Sequence, residues 1–287
     1  QMSKHVISDL NNIDAPNNNG TTNNNNWGPI VRKKKPNEFD EILFKSCKTG
    51  DYLKAKKALE NGANATRIIS LAMGQTTPLL IASQNGHVSI AELILQDKNV
   101  DINEKVGWDG QTCLHHATNN KHPEMCKFLI KNNADIEIKD RLKRTPLFDA
   151  CEMGDKNLLQ IFLDNNANVD TEACGYTPLQ LCLDLASSRD EEGRTFLEIC
   201  TILMKNNADI NRRGKETGRT LLMIACAIGK QKLVSELILQ RNASLHITDI
   251  DGKTALQYAI DYKKTEITNF LRKAIEIEKK KGRCIIL

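Results

Sequence analysis

The chain has 287 residues, 40% of them hydrophobic, 26% charged and only 5% aromatic, a composition that suits a helical core of Leu, Ile and Ala better than a β-sandwich. Its net charge is +4, yet the surplus lies at the ends. Residues 1–37 carry +3 (Lys4, Arg32, Lys33, Lys34 and Lys35 against Asp9 and Asp14), residues 263–283 carry +5, and the middle is left at −4, which argues against a general nucleic-acid-binding body.

The longest apolar runs, such as Leu221 to Ile228, are too short to cross a bilayer. No basic-then-apolar leader is visible at the start. Nine cysteines without a Cys-x-x-Cys pair therefore predict reduced thiols in a cytosolic setting. The triplets Asn64-Ala65-Thr66 and Asn242-Ala243-Ser244 match glycosylation acceptors but are expected to be incidental without export.

In chain order, residues 1–37 form an Asn-rich, basic segment. NNIDAPNNNGTTNNNN (11–26) has too little apolar area to bury and is expected to be disordered. VRKKKP (31–36) reads equally as a nuclear-import patch, a solvated linker or a membrane-facing patch.

From residue 38 to about 275 the chain repeats itself. TTPLLIASQNGH (76–87), QTCLHHATNNKH (111–122), RTPLFDACEMGD (144–155), YTPLQLCLDLAS (176–187), RTLLMIACAIGK (219–230) and KTALQYAIDYKK (253–264) align without gaps. Their threonines stand at 77, 112, 145, 177, 220 and 254, with spacings of 35, 33, 32, 43 and 34 residues. Each Thr predicts a helix N-cap, and Pro78, Pro146 and Pro178 sit at the first helical position, where a missing N–H costs nothing. Ala82, Ala117, Ala150, Cys182, Ala225 and Ala259 are small, so a neighbouring helix can approach. Gly86, Gly154 and Gly229 predict left-handed helix ends. NNAD (132–135, 206–209) and NNAN (165–168) close each second helix, Asn being tolerant of that conformation.

A period near 33 with Thr-Pro-Leu openings resembles the ankyrin repeat. The resemblance implies an all-α solenoid of about seven repeats, each a helix-turn-helix plus β-turn unit. Phe39 to Arg67 fits a first, capping repeat with Lys45, Lys48, Lys54, Lys56 and Lys57 on its outer face. In the fifth repeat SSRDEEGR (187–194) replaces a tight turn and reads equally as a binding insertion or a tolerated loop. At the far end Ile267, Phe270, Leu271, Ala274 and Ile277 fall on one helical face expected to seal the stack. In ankyrin proteins partners contact the turn tips and the inner face of the first helices. The matching positions are Trp108, Arg141, Leu142, Met153, Tyr176, Arg219, Ile228 and Tyr262, with Trp108 and Tyr176 the expected anchors.

Several fragments imitate chemistry. DIDG (249–252) lacks the remaining ligands of a calcium loop. Cys113, His115, His116, His122 and Cys126 occupy repeat slots rather than a convergent zinc set. No nucleophile elbow, zinc-protease helix, phosphate loop or dinucleotide fingerprint is present, so the expectation is no catalytic residue, no metal and no cofactor.

The sequence stops on Cys284-Ile285-Ile286-Leu287, which fits the Cys-a-a-X prenylation pattern in its geranylgeranyl form. Lys279, Lys280, Lys281 and Arg283 precede it as a second, electrostatic signal for an anionic leaflet. Residues 276–287 are therefore expected to form a polybasic tail beyond the capping helix, modified at Cys284 by a prenyltransferase. The resulting expectation is a non-enzymatic, monomeric adaptor, lipid-anchored on a cytosolic membrane face and binding a protein partner, not nucleic acid. With its Asn- and Lys-rich composition the chain is similar to ankyrin effectors of intracellular bacteria, and a native amoebal signalling adaptor shares the same bias. The alternative is a soluble cytosolic or nuclear regulator without a lipid.

Overall fold

The computed structural model describes residues 37–71, 74–188, 193–215 and 217–284; the disorder expected of residues 1–36, including VRKKKP, falls outside them. Fourteen helices among the described residues form seven antiparallel pairs. They are α1 (Glu38–Thr49) with α2 (Tyr52–Glu60), α3 (Pro78–Gln84) with α4 (Val88–Ile94), and α5 (Cys113–Asn119) with α6 (Pro123–Lys131). Next come α7 (Pro146–Glu152) with α8 (Lys156–Asp164), and α9 (Pro178–Ser188) with α10 (Gly193–Lys205). The last are α11 (Leu221–Ile228) with α12 (Gln231–Leu239), and α13 (Ala255–Asp261) with α14 (Thr265–Cys284). First helices stack on first helices and second on second, and the segments between pairs project as fingers. The first finger is a true hairpin, β1 (Ile69–Leu71) antiparallel to β2 (Gly74–Thr76) with Ile69 opposite Thr76. Two later fingers keep only single bridges, Val106 to Gln111 and Ala173 to Tyr176.

The threonines act as expected. The hydroxyl oxygens of Thr77, Thr145, Thr177, Thr220 and Thr254 accept from the backbone N–H three residues on. Thr112 instead pairs with the His115 ring, Oγ1 to Nδ1 at 2.9 Å. The first repeat uses a different device: Asn37 Oδ1 accepts from the Asp40 N–H and Asp40 Oδ2 from the Asn37 N–H, so Asn37 belongs to the fold and not to the segment before it. The small column Ala82, Ala117, Ala150, Cys182, Ala225 and Ala259 is fully buried. Each methyl-sized side chain there lets neighbouring helices close without a void.

Gly86 has φ +73, and a Cβ added there would lie 2.7 Å from the His122 ring of the next repeat. Gly50 meets His87 at 2.7 Å in the same way. Handedness and close approach both demand glycine here. Of the three repeats without it, two place Lys121 (φ 57) and Lys263 (φ 55) in the left-handed slot, and the fifth has Ala186 there inside its longer helix. Asn133, Asn166 and Asn207 hold φ of 65, 60 and 63 at the ends of the second helices.

A second ladder binds repeat to repeat. Asn103 Oδ1 accepts from Asp135 N, Glu137 Oε1 from Asn168 N, Asp170 Oδ1 from Asp209 N and Asn211 Oδ1 from Ser244 N, at 2.7–3.0 Å. Each bond supplies a partner for a turn N–H that the local backbone leaves open. The last rung differs: His246 fills the acceptor's slot and its Nε2 meets Glu278 Oε2 of α14 at 2.9 Å.

Two expectations need correction. The fifth-repeat insertion is not simply a loop: it lengthens the pair, α9 to 11 and α10 to 13 residues, and the extension buries Ala186 and Phe196. Residues 189–192 lie outside the described part. At the far end Ile267 and Leu271 are buried and Phe270 and Ala274 half-buried, but Ile277 is 54% exposed. It has turned away from the stack, which ends a turn earlier. The helix itself runs on past the repeat boundary at residue 275. Ile277, Lys279 and Lys280 continue it to Cys284, supported by good helix formers and a Glu276–Lys280 pair at 2.8 Å.

Candidate functional site

The fingers and the inner ends of the first helices make one continuous face. Trp108 is the most exposed aromatic on it, 63% accessible, at the tip of a finger closed by the Val106–Gln111 bridge. Its carbonyl neighbour stitches fingers together: Asp109 O accepts from Arg141 N at 2.8 Å. Arg141 is exposed, with its Cγ lying 3.2 Å from where a Gly110 Cβ would be. Leu142 and Met153 are half-buried. Cys174 is exposed, and its Sγ lies 3.9 Å from the Leu142 carbonyl.

The other predicted contact residues serve the fold first. Tyr176 packs on a small satellite core of Phe148, Ala173 and Leu181, so it is no free anchor, contrary to expectation. Arg219 Nε donates to Tyr258 Oη at 2.7 Å and its guanidinium covers the same ring at 5.1 Å. Ile228 packs against the main core. Tyr262 is 44% exposed but stacks on Tyr258, centroids 6.3 Å apart. Ile250, 65% exposed on the last finger, was not anticipated.

Beneath three of the fingers a polar pair eight residues apart links the residue before the Thr to the end of its helix. Gln111 accepts from Asn119 at 3.2 Å, Arg144 donates to Glu152 at 3.3 Å and Lys253 to Asp261 at 2.7 Å. Arg144 is the most heavily engaged: it also donates to Asp140 at 2.9 Å and lies 3.5 Å from Asp149. Asp149 is buried, and burial lifts its carboxyl to about 8: the Arg144 guanidinium pulls it down, and repulsion from Asp140 and Glu152 pushes it up. Its slot holds Ile81, Leu181 and Ile224 in three repeats and His116 and Tyr258 in two others, and an acid stands there only once, which was the signal available in the sequence.

His115 is buried; burial lowers its pKa to about 4, and its Nε2 meets the Arg144 carbonyl at 3.1 Å. Burial lowers His116 as well. His122 Nε2 contacts the Gln84 carbonyl at 3.0 Å. Cys113 and Cys126 are buried, their thiols pushed up to about 12 by burial. These residues are core and inter-repeat contacts, and among the described residues no group of three or more such side chains converges to hold a metal. In DIDG, Asp249 accepts from the Asp251 and Lys253 N–H groups and from Tyr258 Oη at 2.6 Å.

At the chain's end Lys279 and Lys280 are exposed on α14. Lys281, Arg283 and Cys284 lie on the same helix, whereas Ile285, Ile286 and Leu287 fall outside the described residues. Among the described residues no helix is long and apolar enough to cross a membrane. At the opposite end of the stack a cavity of about 600 Å³ opens between α1 and α2, floored by Phe39, Ile42 and Ala58.

Comparison with known proteins agrees with this geometry. The chain is 35% identical over 107 residues to the probable 26S proteasome regulatory subunit p28 of Saccharomyces cerevisiae, covering 36% of this chain and 46% of that one. It is 26% identical over 231 residues to a transient receptor potential cation channel subfamily A member 1 homolog of Caenorhabditis elegans, 80% of this chain and 18% of that one. The chain thus spans less than half the length of these curated relatives. The solved ankyrin repeat domain of Bcl-3, an IκB-family protein, superposes with a TM-score of 0.68 at 20% identity, over 80% of this chain and 97% of that one. The family description "Ankyrin repeats (3 copies)" matches residues 43–140, 114–213 and 183–281, nearly the whole stack of helical pairs: the chain belongs to the ankyrin-repeat family.

Proposed function

We propose that this protein is a non-enzymatic adaptor that binds a protein partner on its finger edge and inner face and is held at a cytosolic membrane surface by a lipid on Cys284. The observation that carries the partner-binding part is Trp108, a large aromatic left 63% exposed at a finger tip on a rigid scaffold. Aromatic side chains presented in this way lose little entropy on binding and are frequent anchors. The anchor rests on Cys-Ile-Ile-Leu read as a C-terminus and on the exposed lysines before it. One prenyl chain binds membranes weakly, and Lys279, Lys280, Lys281 and Arg283 would each add about 1 kcal/mol near an anionic leaflet.

Intact mass and membrane partition after expression in a eukaryotic cell, beside Cys284→Ser, test the anchor. A mass matching geranylgeranyl addition less Ile285 to Leu287, with membrane association lost in the variant, is the expected result. An unmodified, fully soluble wild type leaves the second reading, a soluble cytosolic or nuclear regulator, for which VRKKKP is the import patch. A bacterial effector borrowing host prenylation enzymes would use the same chemistry, and the relatives found are eukaryotic proteins. Capture of a cellular protein by wild type but not by Trp108→Ala tests the binding face.

A further inference from the structure

Charge on the fingers is sorted by position. The finger over residues 139–144 carries Lys139, Arg141, Lys143 and Arg144 against Asp140, and that over 212–219 carries Arg212, Arg213, Lys215 and Arg219 against Glu216. The finger between them holds Asp170 and Glu172. Its carboxylates are already engaged: Asp170 accepts from Asp209 N, and Glu172 lies 3.6 Å from Arg212. Asp140, the acid of the first basic finger, is buried and accepts from the Arg144 N–H and guanidinium. The bases are not consumed in the same way. Lys139, Arg141, Lys143, Arg213 and Lys215 are all exposed, and among the described residues none of these side chains pairs with a carboxylate; Arg213 donates only to the Gly218 carbonyl at 3.4 Å. Lys143 stands on a left-handed turn (φ 65) that fixes where its side chain leaves the tip.

We propose that these two basic fingers, with Trp108 on the adjacent tip, receive an acidic segment of a partner protein, its carboxylates meeting Arg141 and Lys143 at one finger and Arg213 and Lys215 at the other, and an apolar side chain covering Trp108. This rests on the binding face proposed above and names the partner's chemistry. A polypeptide fits better than a nucleic acid, because the positive groups form two separate clusters with an acid-bearing finger between them, whereas a phosphate backbone favours an unbroken positive track with several stacking aromatics. Rim charges of this kind govern association rate and partner choice.

The test uses the full chain with Trp27→Phe, so that Trp108 is the sole tryptophan and its emission reports contact. The probes are a peptide of Glu and Asp interrupted by Leu, the same peptide with Gln and Asn in place of the acids, a single-stranded oligonucleotide and phosphatidylserine vesicles. The expected result is a blue shift with the acidic peptide alone. Affinity should fall about tenfold or more in Arg141→Glu/Lys143→Glu and in Arg213→Glu/Lys215→Glu, and be unchanged in Lys127→Glu on α6. Added salt should weaken binding. Circular dichroism melts check that the exposed reversals leave the fold intact. No binding of the acidic peptide at millimolar concentration, equal binding of the neutral peptide, tighter binding of the oligonucleotide or vesicles, or indifference to both reversals overturns the proposal. If a cellular partner is captured through Trp108 while the reversals change nothing, the acidic partner is wrong and the binding face stands.

Discussion

Arg144 and Arg219 occupy the same place in their repeats, immediately before the capping Thr, and are wired in opposite ways. Arg144 turns into its own repeat, where Asp140, Asp149 and Glu152 lie 2.9, 3.5 and 3.3 Å from its guanidinium. Arg219 reaches into the following repeat, to the Tyr258 hydroxyl at 2.7 Å and over its ring. The residues five and eight positions on account for the difference: Asp149 and Glu152 in one repeat, Ile224 and Ala227 in the other. One arginine thus stiffens a single finger and the other couples two repeats. In a solenoid, where stability is a sum of repeat and interface contributions, the two should fail differently.

Removing the arginines tests this most severely. Arg144→Ala leaves the Asp140 and Glu152 carboxylates, beside the Asp149 carboxyl, without their cation, and breaking buried pairs from one side costs about 3–5 kcal/mol. Arg219→Ala removes the Tyr258 hydrogen bond and ring contact and a favourable charge near Asp184, for about 1–2 kcal/mol. Urea unfolding followed by circular dichroism measures both. Equal losses would mean that the wiring does not matter and that only the shared position does.

Asp149 sharpens the contrast with an effect of opposite sign. In the folded state its carboxyl holds a proton up to about 8, against 3.8 for an unperturbed Asp. The folded state then binds more protons than the unfolded one between those values, so stability falls as pH rises through that range. His115 and His116 act the other way: their pKa values are lowered by burial from 6.5, so they reduce stability as pH falls below about 6.5. The window from 6.5 to 7.5 therefore isolates Asp149, because nearer pH 8.5 the buried thiols, pushed up to about 12, also lower stability as pH rises. Wild type should lose stability across it, and Asp149→Leu should be flat there and roughly 1–2 kcal/mol more stable than wild type at pH 7.5, its slot holding Ile or Leu in three other repeats. A wild-type profile that is flat across this window would mean Arg144 already compensates the carboxylate.

How far each feature could be read beforehand follows from the range of the interaction behind it. The threonine caps, the Asn and Gly turns and the small-residue column are local requirements, imposed anew in each repeat, and the spacing of 77, 112, 145, 177, 220 and 254 exposes them. What a side chain meets in the neighbouring repeat is not local. Tyr176 and Tyr262 look alike as tip aromatics, yet one is packed on Phe148 and Leu181 and the other stacks on Tyr258. Ile277 keeps the helical phase of Phe270 but lies past the point where the stack ends. The asparagines and acids that tie each turn to the next, from Asn103 to Asn211, sit in a variable slot (Asn, Glu, Asp, Asn) whose shared feature is a side-chain oxygen acceptor. A search for identical letters passes over that pattern.

The smallest expected effect concerns the coupling itself. Tyr258 Oη donates to Asp249 Oδ2 at 2.6 Å and accepts from Arg219 Nε at 2.7 Å, so its hydroxyl joins the finger of one repeat to the helix of the next. Tyr258→Phe keeps the ring and its contact with the guanidinium and deletes only these two bonds, for about 1 kcal/mol. If Arg219 acts across the boundary, the double variant Arg219→Ala/Tyr258→Phe should lose less than the two single losses added together, since both delete the same bond. Hydrogen exchange gives the spatial half of the test: Tyr258→Phe should speed exchange in α13 and α14 and leave α7 and α8 untouched, whereas Arg144→Ala should do the reverse. Strict additivity in the cycle, with exchange rising evenly along the stack, would mean that the repeats unfold as one unit and that the direction in which an arginine points carries no local consequence.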